Sequence, residues 1–177
     1  IVIANLAKEL NHKLADGRIT KIAQTESDKL LLTIKKSISS PEQKTIRTQN
    51  RLVISVNPSL PLLYLTQENQ NAPLQAPTFC MVLRKHLNNC KINLIEQIGL
   101  ERVLCMHLEH LNEMGDYCRK KLYIELMGKH SNIIFCDEND QIIDSIKHIS
   151  ALVSSVREVL PGRQYFIPNT LDKYDPL

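Results

Sequence analysis

The sequence predicts an α+β fold dominated by antiparallel strands. Three observations carry that expectation. Apolar residues follow the helical period in only two stretches, strict alternation recurs through most of the rest, and short polar turns separate the alternating runs. The first helix is expected at the start, where Ile3, Leu6, Ala7, Leu10 and Leu14 share one face opposite Asn5, Lys8, Glu9, His12 and Lys13. Asp16-Gly17 should end it, with glycine taking the left-handed conformation. Two strands follow. Arg18 to Thr25 is anchored by Ile19 and Ile22, and Lys29 to Lys36 by Leu30, Leu32 and Ile34. Ser37 to Asn50 is polar and contains Ser39-Ser40-Pro41, so it reads as a loop with a little strand. Arg51 to Val56 is a strand that stops at Asn57-Pro58.

Residues 57 to 77 are the most irregular, with a short strand expected at Leu62 to Leu65. Pro77 suits the first turn of a second helix reaching about residue 88, whose buried stripe is Phe79, Val82, Leu83 and Leu87. Arg84-Lys85-His86 sits in its last turn, where positive charge complements the helix dipole. The second half reads as antiparallel sheet. Lys91 to Gln97 is one strand. Arg102 to Glu109 and Lys120 to Met127 flank a turn at Asn112-Glu113-Met114-Gly115-Asp116. Ser131 to Cys136 and Gln141 to His148 make a hairpin around Asp137-Glu138-Asn139-Asp140. The tail from Pro161 is proline-rich and reads as a linker.

Composition narrows the function classes. A chain of 177 residues makes one or two domains with a real core. With 43% hydrophobic and 23% charged residues it is not a disordered chain. No apolar run approaches the roughly 18 residues of a membrane helix. Lys plus Arg number 22 against 19 Asp plus Glu, a net charge of +3. That balance permits nucleic-acid binding without demanding it. With no Trp, five Tyr and three Phe, an aromatic platform for stacking single-stranded bases is not expected. Five cysteines, at 80, 90, 105, 118 and 136, form no Cys-x-x-Cys pair. This argues against structural zinc and a secreted disulfide framework, and for buried, reduced thiols in a cytosolic protein. The sequence opens on Ile1-Val2-Ile3 without an initiator Met or a signal-peptide pattern, and reads as a trimmed chain.

Four constellations carry possible chemistry. His107 and His110 point to opposite faces of a strand, so they do not share a metal simply. Cys80 lies inside a helical pattern without a nucleophile signature, and reads as a core thiol. Gly128-Lys129-His130-Ser131-Asn132 packs hydrogen-bond donors beside a flexible glycine, as a phosphate cradle or a plain turn, without P-loop spacing. Glu101-Arg102, at the mouth of a strand, is either a contact for phosphate or a base edge or a surface ion pair. These patterns contain no enzyme signature.

Longer strings point further. They are Phe79-Cys80-Met81-Val82-Leu83-Arg84-Lys85-His86-Leu87, Glu96-Gln97-Ile98-Gly99-Leu100-Glu101-Arg102, Asn112-Glu113-Met114-Gly115-Asp116, and Leu122-Tyr123-Ile124-Glu125-Leu126-Met127-Gly128-Lys129-His130-Ser131-Asn132-Ile133-Ile134. Ile142-Ile143-Asp144-Ser145-Ile146-Lys147-His148 and Leu160-Pro161-Gly162-Arg163-Gln164-Tyr165 complete the set. In these strings the chain resembles the N-terminal NFACT domain of the fibronectin-binding protein A family, which includes ribosome quality control factors. The resemblance covers residues 1–168 and leaves 169–177 as the start of a linker toward further regions.

The resemblance implies a β-sandwich flanked by helices, similar to the N-terminal domain of formamidopyrimidine-DNA glycosylases. It implies a non-enzymatic, cytoplasmic RNA-binding module without a cofactor. Its partners would be the obstructed large ribosomal subunit with its rRNA, peptidyl-tRNA, and tRNA recruited for C-terminal alanine tailing of the stalled chain. The family's adhesin names imply fibronectin and the cell surface as the alternative. The family's Asp-Arg dipeptide after Gly-Leu stands here as Glu101-Arg102, longer by one methylene at the acid. Its Asp-Gly before the first helix has no counterpart in this sequence. The chain starts Ile1-Val2 rather than with the Pro-Glu of glycosylase catalysis, and glycosylase activity is not expected. The implied tRNA-contacting residues are Glu101, Arg102, Arg84, Lys85, Lys129, His130, Ser131, Asn132 and Lys147. For Lys147, with His148, a solvated strand end is the other reading.

Overall fold

The computed structural model describes residues 2–39, 41–42, 44–99, 102–150 and 157–167. Helix α1 spans Val2–Leu14 and buries Ile3, Ala7, Leu10 and Leu14, the expected face. Its end differs in one respect. Asp16, at φ 70°, takes the left-handed conformation, and Gly17 is needed for space. A Cβ on Gly17 would stand 2.8 Å from Ile34 Cγ2 and 2.9 Å from the Leu14 carbonyl oxygen.

The strands are β1 Arg18–Glu26, β2 Lys29–Ser39, β3 Thr45–Ser55, β4 Leu62–Thr66, β5 Lys91–Gln97, β6 Val103–Leu111, β7 Tyr117–Glu125, β8 Asn132–Asp137 and β9 Ile142–Ser145; helix α2 spans Thr78–Leu87. They form a single antiparallel sheet in the order β4-β3-β2-β1-β5-β6-β7-β8-β9. This is an α+β fold, and its strands form one continuous sheet where a two-sheet sandwich was expected. Its two halves meet at the pair Arg18↔Lys91. Both halves and both helices feed one core, from Ile19, Leu32 and Ile54 on one side to Leu104, Leu122 and Phe135 on the other. The side chain of Asn11 in α1 ties helix to sheet by accepting from the Ile95 N–H at 2.8 Å.

Two expectations are corrected here. Ser37 to Asn50 is not mainly loop: β2 and β3 stay paired from Lys36↔Thr48 to Ser39↔Thr45. The arm is solvated, so its pairing rests on main-chain hydrogen bonds and leaves no apolar alternation to read. The tail from Pro161 is not a free linker up to residue 167. Gln164 bridges Gln141, Val159 bridges Ile149, and both Val159 and Tyr165 are buried. These two side chains complete a second, smaller core with Val103, Cys105, Tyr123, Ile134, Cys136 and Ile142 on the opposite face of the sheet.

Four of the five cysteines are buried, and all are free thiols. Burial pushes Cys90 and Cys105 up to about 12, so neither is a thiolate near neutral pH. Cys80 is buried as well, its Sγ directed to the Ile22 carbonyl oxygen at 3.7 Å, and its pKa is raised by burial. It is a core thiol.

Candidate nucleic-acid interface

Arg102 opens β6. Its main-chain oxygen accepts from the Leu126 N–H at 3.0 Å, which ties the start of β6 to the end of β7. The residue is exposed. Gly99, at φ 57°, shapes the turn before it. Leu100 and Glu101 lie outside the described residues.

The chain leaves β7 at Leu126 and makes a tight 3-10 turn over Gly128–His130 before entering β8. Gly128 is at φ 56°, a conformation a side chain would strain. Lys129 and His130 are exposed at the tip of this turn. Because Val103 pairs Glu125 and Glu125 pairs Asn132, the turn and Arg102 cap neighbouring strands at the same end of the sheet.

Ser131 and Asn132 are buried, and their polar groups face inward. Ser131 Oγ accepts from the Met127 N–H at 2.8 Å and closes the turn. Asn132 Oδ1 accepts from the N–H groups of Ile133 and Lys147, at 2.9 and 3.1 Å, while Nδ2 donates to the Lys147 carbonyl at 3.0 Å. These two residues hold the loop in shape. Lys147 is half-buried, and its Nζ donates to the Val56 carbonyl oxygen at 2.6 Å. Burial lowers the Lys147 pKa, and the charge of Asp28 works against that.

Arg84 and Lys85 lie elsewhere. Arg84 Nε donates to the Ile22 carbonyl at 2.8 Å and fastens α2 to β1. Lys85 is exposed and lines a hollow with His86, His110 and Asn112. That hollow adjoins Leu111, the last residue of β6, whereas Arg102 precedes the first. At about 3.3 Å per residue, the two ends of this strand are roughly 26 Å apart. The expected contacts therefore fall into two groups, with Arg102, Lys129 and His130 at one end and Lys85 at the other.

Sequence reasoning placed His86 with Arg84 and Lys85 in one RNA-contacting cluster, but did not connect it to His110, which lines the same hollow, or to Lys120, whose charge reaches both imidazoles. Alternation along β6 and β7 was the available signal, since it puts His110 and Lys120 on the same side of the sheet as Leu108 and Leu122. His107 and His110 do face opposite ways. His107 lies against Asn93, Arg119 and Lys121, with Nε2 3.5 Å from Glu96 Oε1, and His110 against Lys85 and His86.

The model of a family described as NFACT N-terminal and middle domains matches residues 1–177. The Rqc2 homolog RqcH of Bacillus subtilis is 40% identical over 173 residues, which is 97% of this chain and 29% of that protein. The RqcH of Streptococcus pneumoniae is 36% identical over the same share of this chain and 30% of its own. Among solved structures, the N-terminal domain of the fibronectin-binding protein PavA from Streptococcus pneumoniae superposes with a TM-score of 0.84 at 36% identity, covering 95% of this chain and 60% of that one. The chain thus spans under a third of the length of the curated relatives it matches. Among the described residues no helix is long and apolar enough to cross a membrane. With a family model matched along its whole length and close relatives over nearly all of it, the chain belongs to the NFACT N-terminal domain family of Rqc2 homologues, a ribosome quality control factor family.

Proposed function

We propose that this chain is the RNA-binding module of a cytoplasmic ribosome quality control factor. It positions tRNA beside an obstructed large ribosomal subunit that still carries peptidyl-tRNA. The tRNA then supports C-terminal tailing of the stalled chain, by alanine in the bacterial case. The module makes no bond itself, and any kinship of fold with formamidopyrimidine-DNA glycosylases does not extend to their chemistry. One observation carries the reading: Arg102 and the Lys129-His130 turn stand exposed together at one end of a rigid sheet. Positive groups held on a scaffold can register a phosphate backbone, and Glu101, adjacent to Arg102 in sequence, can accept from a base amine.

The test is tRNA binding by the intact protein across a salt series, with wild type and the double change Glu101→Ala, Arg102→Ala. Wild-type affinity should fall steeply with salt. The variant should fold, bind about tenfold more weakly, and show a salt slope smaller by about one. Equal binding by the two proteins would remove the pair from the tRNA contact.

A second reading follows from the name of the Streptococcus pneumoniae structure, a fibronectin-binding protein. On that reading the partner is fibronectin at the cell surface, and binding rests on apolar anchors that respond little to salt. Wild-type protein that ignores tRNA and captures immobilised fibronectin at high salt would establish it.

A further inference from the structure

We propose that the hollow between the last turn of α2 and the β6–β7 turn is a second anion site, which takes a phosphate group of an RNA backbone. It rests on the RNA-binding reading above and adds a contact point at the opposite end of β6 from Arg102.

One lysine and two histidines line the walls. Lys85 and His86 come from α2, His110 from β6, and Asn112 and Glu113 from the turn. Lys120 of β7 lines the neighbouring hollow around His107, and its charge reaches both imidazoles of this one. Arg84, in the same turn of α2, is already directed to the Ile22 carbonyl. Glu113 is the one acidic residue among those lining the hollow. Neither Lys85 nor Lys120 has an ion-pair partner among the described residues, whereas Lys13, Lys91 and Lys121 each have one. His110 Nε2 is buried without a hydrogen-bond partner.

Such a cluster is costly alone, because like charges repel and an unpaired polar atom loses its water. Burial lowers the pKa of both histidines, and neighbouring positive charge lowers it further. An anion between them reverses the second effect. Phosphate suits the groups present: lysine binds it as a point charge, an imidazole N–H donates to its oxygens, and Asn112 adds a neutral donor. Occupation should therefore raise both histidine pKa values, and affinity should grow as pH falls from 7.5 to 6.

The experiment follows the histidine ring resonances of the intact protein by NMR during titration with inorganic phosphate, with chloride at matched ionic strength as the control. Unfractionated tRNA and a 5′-phosphorylated RNA oligonucleotide are then added as competitors. The variant combines Lys85→Gln and Lys120→Gln, at two lysines that hold no internal partner. Phosphate should shift His86 and His110 where chloride does not, RNA should displace it, and the variant should bind phosphate at least tenfold more weakly. In the variant the salt slope of tRNA binding should drop by one to two, about one for each lysine. Equal shifts with phosphate and chloride would overturn the site. Unchanged tRNA affinity in the variant would also overturn it, while leaving the RNA-binding reading intact. Phosphate binding by a protein that binds no RNA would overturn the RNA source and the proposed function together.

Discussion

Lys147 Nζ donates to the main-chain oxygen of Val56 at 2.6 Å, joining the segment after β9 to the end of β3. These two points lie in opposite halves of the sheet, whose direct strand pairing is the single register Arg18↔Lys91. The bond therefore closes the sheet around the core at a place where no ladder does. The residue is one of the expected tRNA contacts, with a solvated strand end as the other reading, and its ammonium here is turned toward the protein's own backbone.

Lys147→Ala should accordingly lower stability by about 1–3 kcal/mol, the range for a hydrogen bond from a charged group that leaves its buried acceptor unpaired. Urea unfolding measures it. Affinity for tRNA in the folded fraction should stay near wild type. A variant with unchanged stability and lost tRNA binding would place the ammonium on RNA after all.

Among the described residues Glu125 is the most enclosed charge. Arg157 Nη2 hydrogen bonds to its Oε1, and the Tyr165 hydroxyl donates to Oε2 at 2.7 Å. Burial raises the Glu125 pKa, and Arg157 and Tyr165 offset part of that rise. Glu125→Ala leaves the Arg157 guanidinium without its partner and should cost about 3–5 kcal/mol. Tyr165→Phe keeps the ring stacked on Tyr123, at 4.0 Å between centroids, and should cost less, about 1.5–3 kcal/mol for a buried carboxylate oxygen that loses its donor. Equal, small losses in both variants would mean that residues 157–167 contribute little to the fold.

The histidines beside Lys85 make stability depend on acid. Burial, then Lys120, Lys85 and His110, lower the pKa of His86; burial and Lys120 lower that of His110. The unfolded chain therefore binds protons first, at about pH 6.5. The stability these residues contribute is present above that pH and is lost as pH falls through their folded values. Melting temperature should drop more steeply below pH 6.5 in wild type than in a His86→Gln, His110→Gln variant. Comparing the two cancels Glu125, whose raised pKa acts in the opposite direction. Parallel pH profiles would show that the histidines titrate as if unfolded.

Gly17 offers a test of close packing rather than of backbone freedom. Gly17→Ala puts a methyl 2.8 Å from Ile34 Cγ2 and 2.9 Å from the Leu14 carbonyl oxygen. Neither neighbour gives easily, since Ile34 is β-branched and buried in the core and the carbonyl belongs to the helix end. A loss of about 1–3 kcal/mol is expected, the usual cost of overpacking. Asp16→Gly, at the position with φ 70°, should be neutral or slightly stabilising. The reverse ranking would restore the simple glycine cap.

The contrast at Asp16 and Gly17 shows what local sequence can carry. Alternation in β6 and β7 and the helical stripe of α2 were legible, because one buried face imposes a period on the side chains. The solvated arm from Ser37 to Asn50 was not, since paired strands with both faces in water impose none. Tyr165 looked like part of a linker because the groove it fills, beside Val159, is built by residues far away in sequence. For the candidate site, residue type located the Gly128–Asn132 turn but could not separate its exposed half from its buried half. Only register does that: Asn132 pairs Glu125 inside the sheet, and Lys129 and His130 lie beyond it.

That division of the turn yields the most discriminating prediction. Asn132→Ala, at a fully buried position, removes the acceptor of the Ile133 and Lys147 N–H groups and one of two side-chain donors to the Lys147 carbonyl, leaving Ser145 Oγ as the other. It should lower stability by about 1–3 kcal/mol, and RNA affinity should fall only as the turn loosens. Lys129→Ala removes an exposed charge and should change stability by less than about 0.5 kcal/mol. It should weaken tRNA binding across all sequences and reduce the salt slope by about one, as expected for one lost phosphate contact. Urea melts and salt-dependent binding on the same two variants separate the roles, because each residue should move one readout and spare the other. If Lys129→Ala leaves tRNA binding and its salt slope unchanged, the exposed half of the turn is not a phosphate contact, and Arg102 alone would carry that end of the sheet.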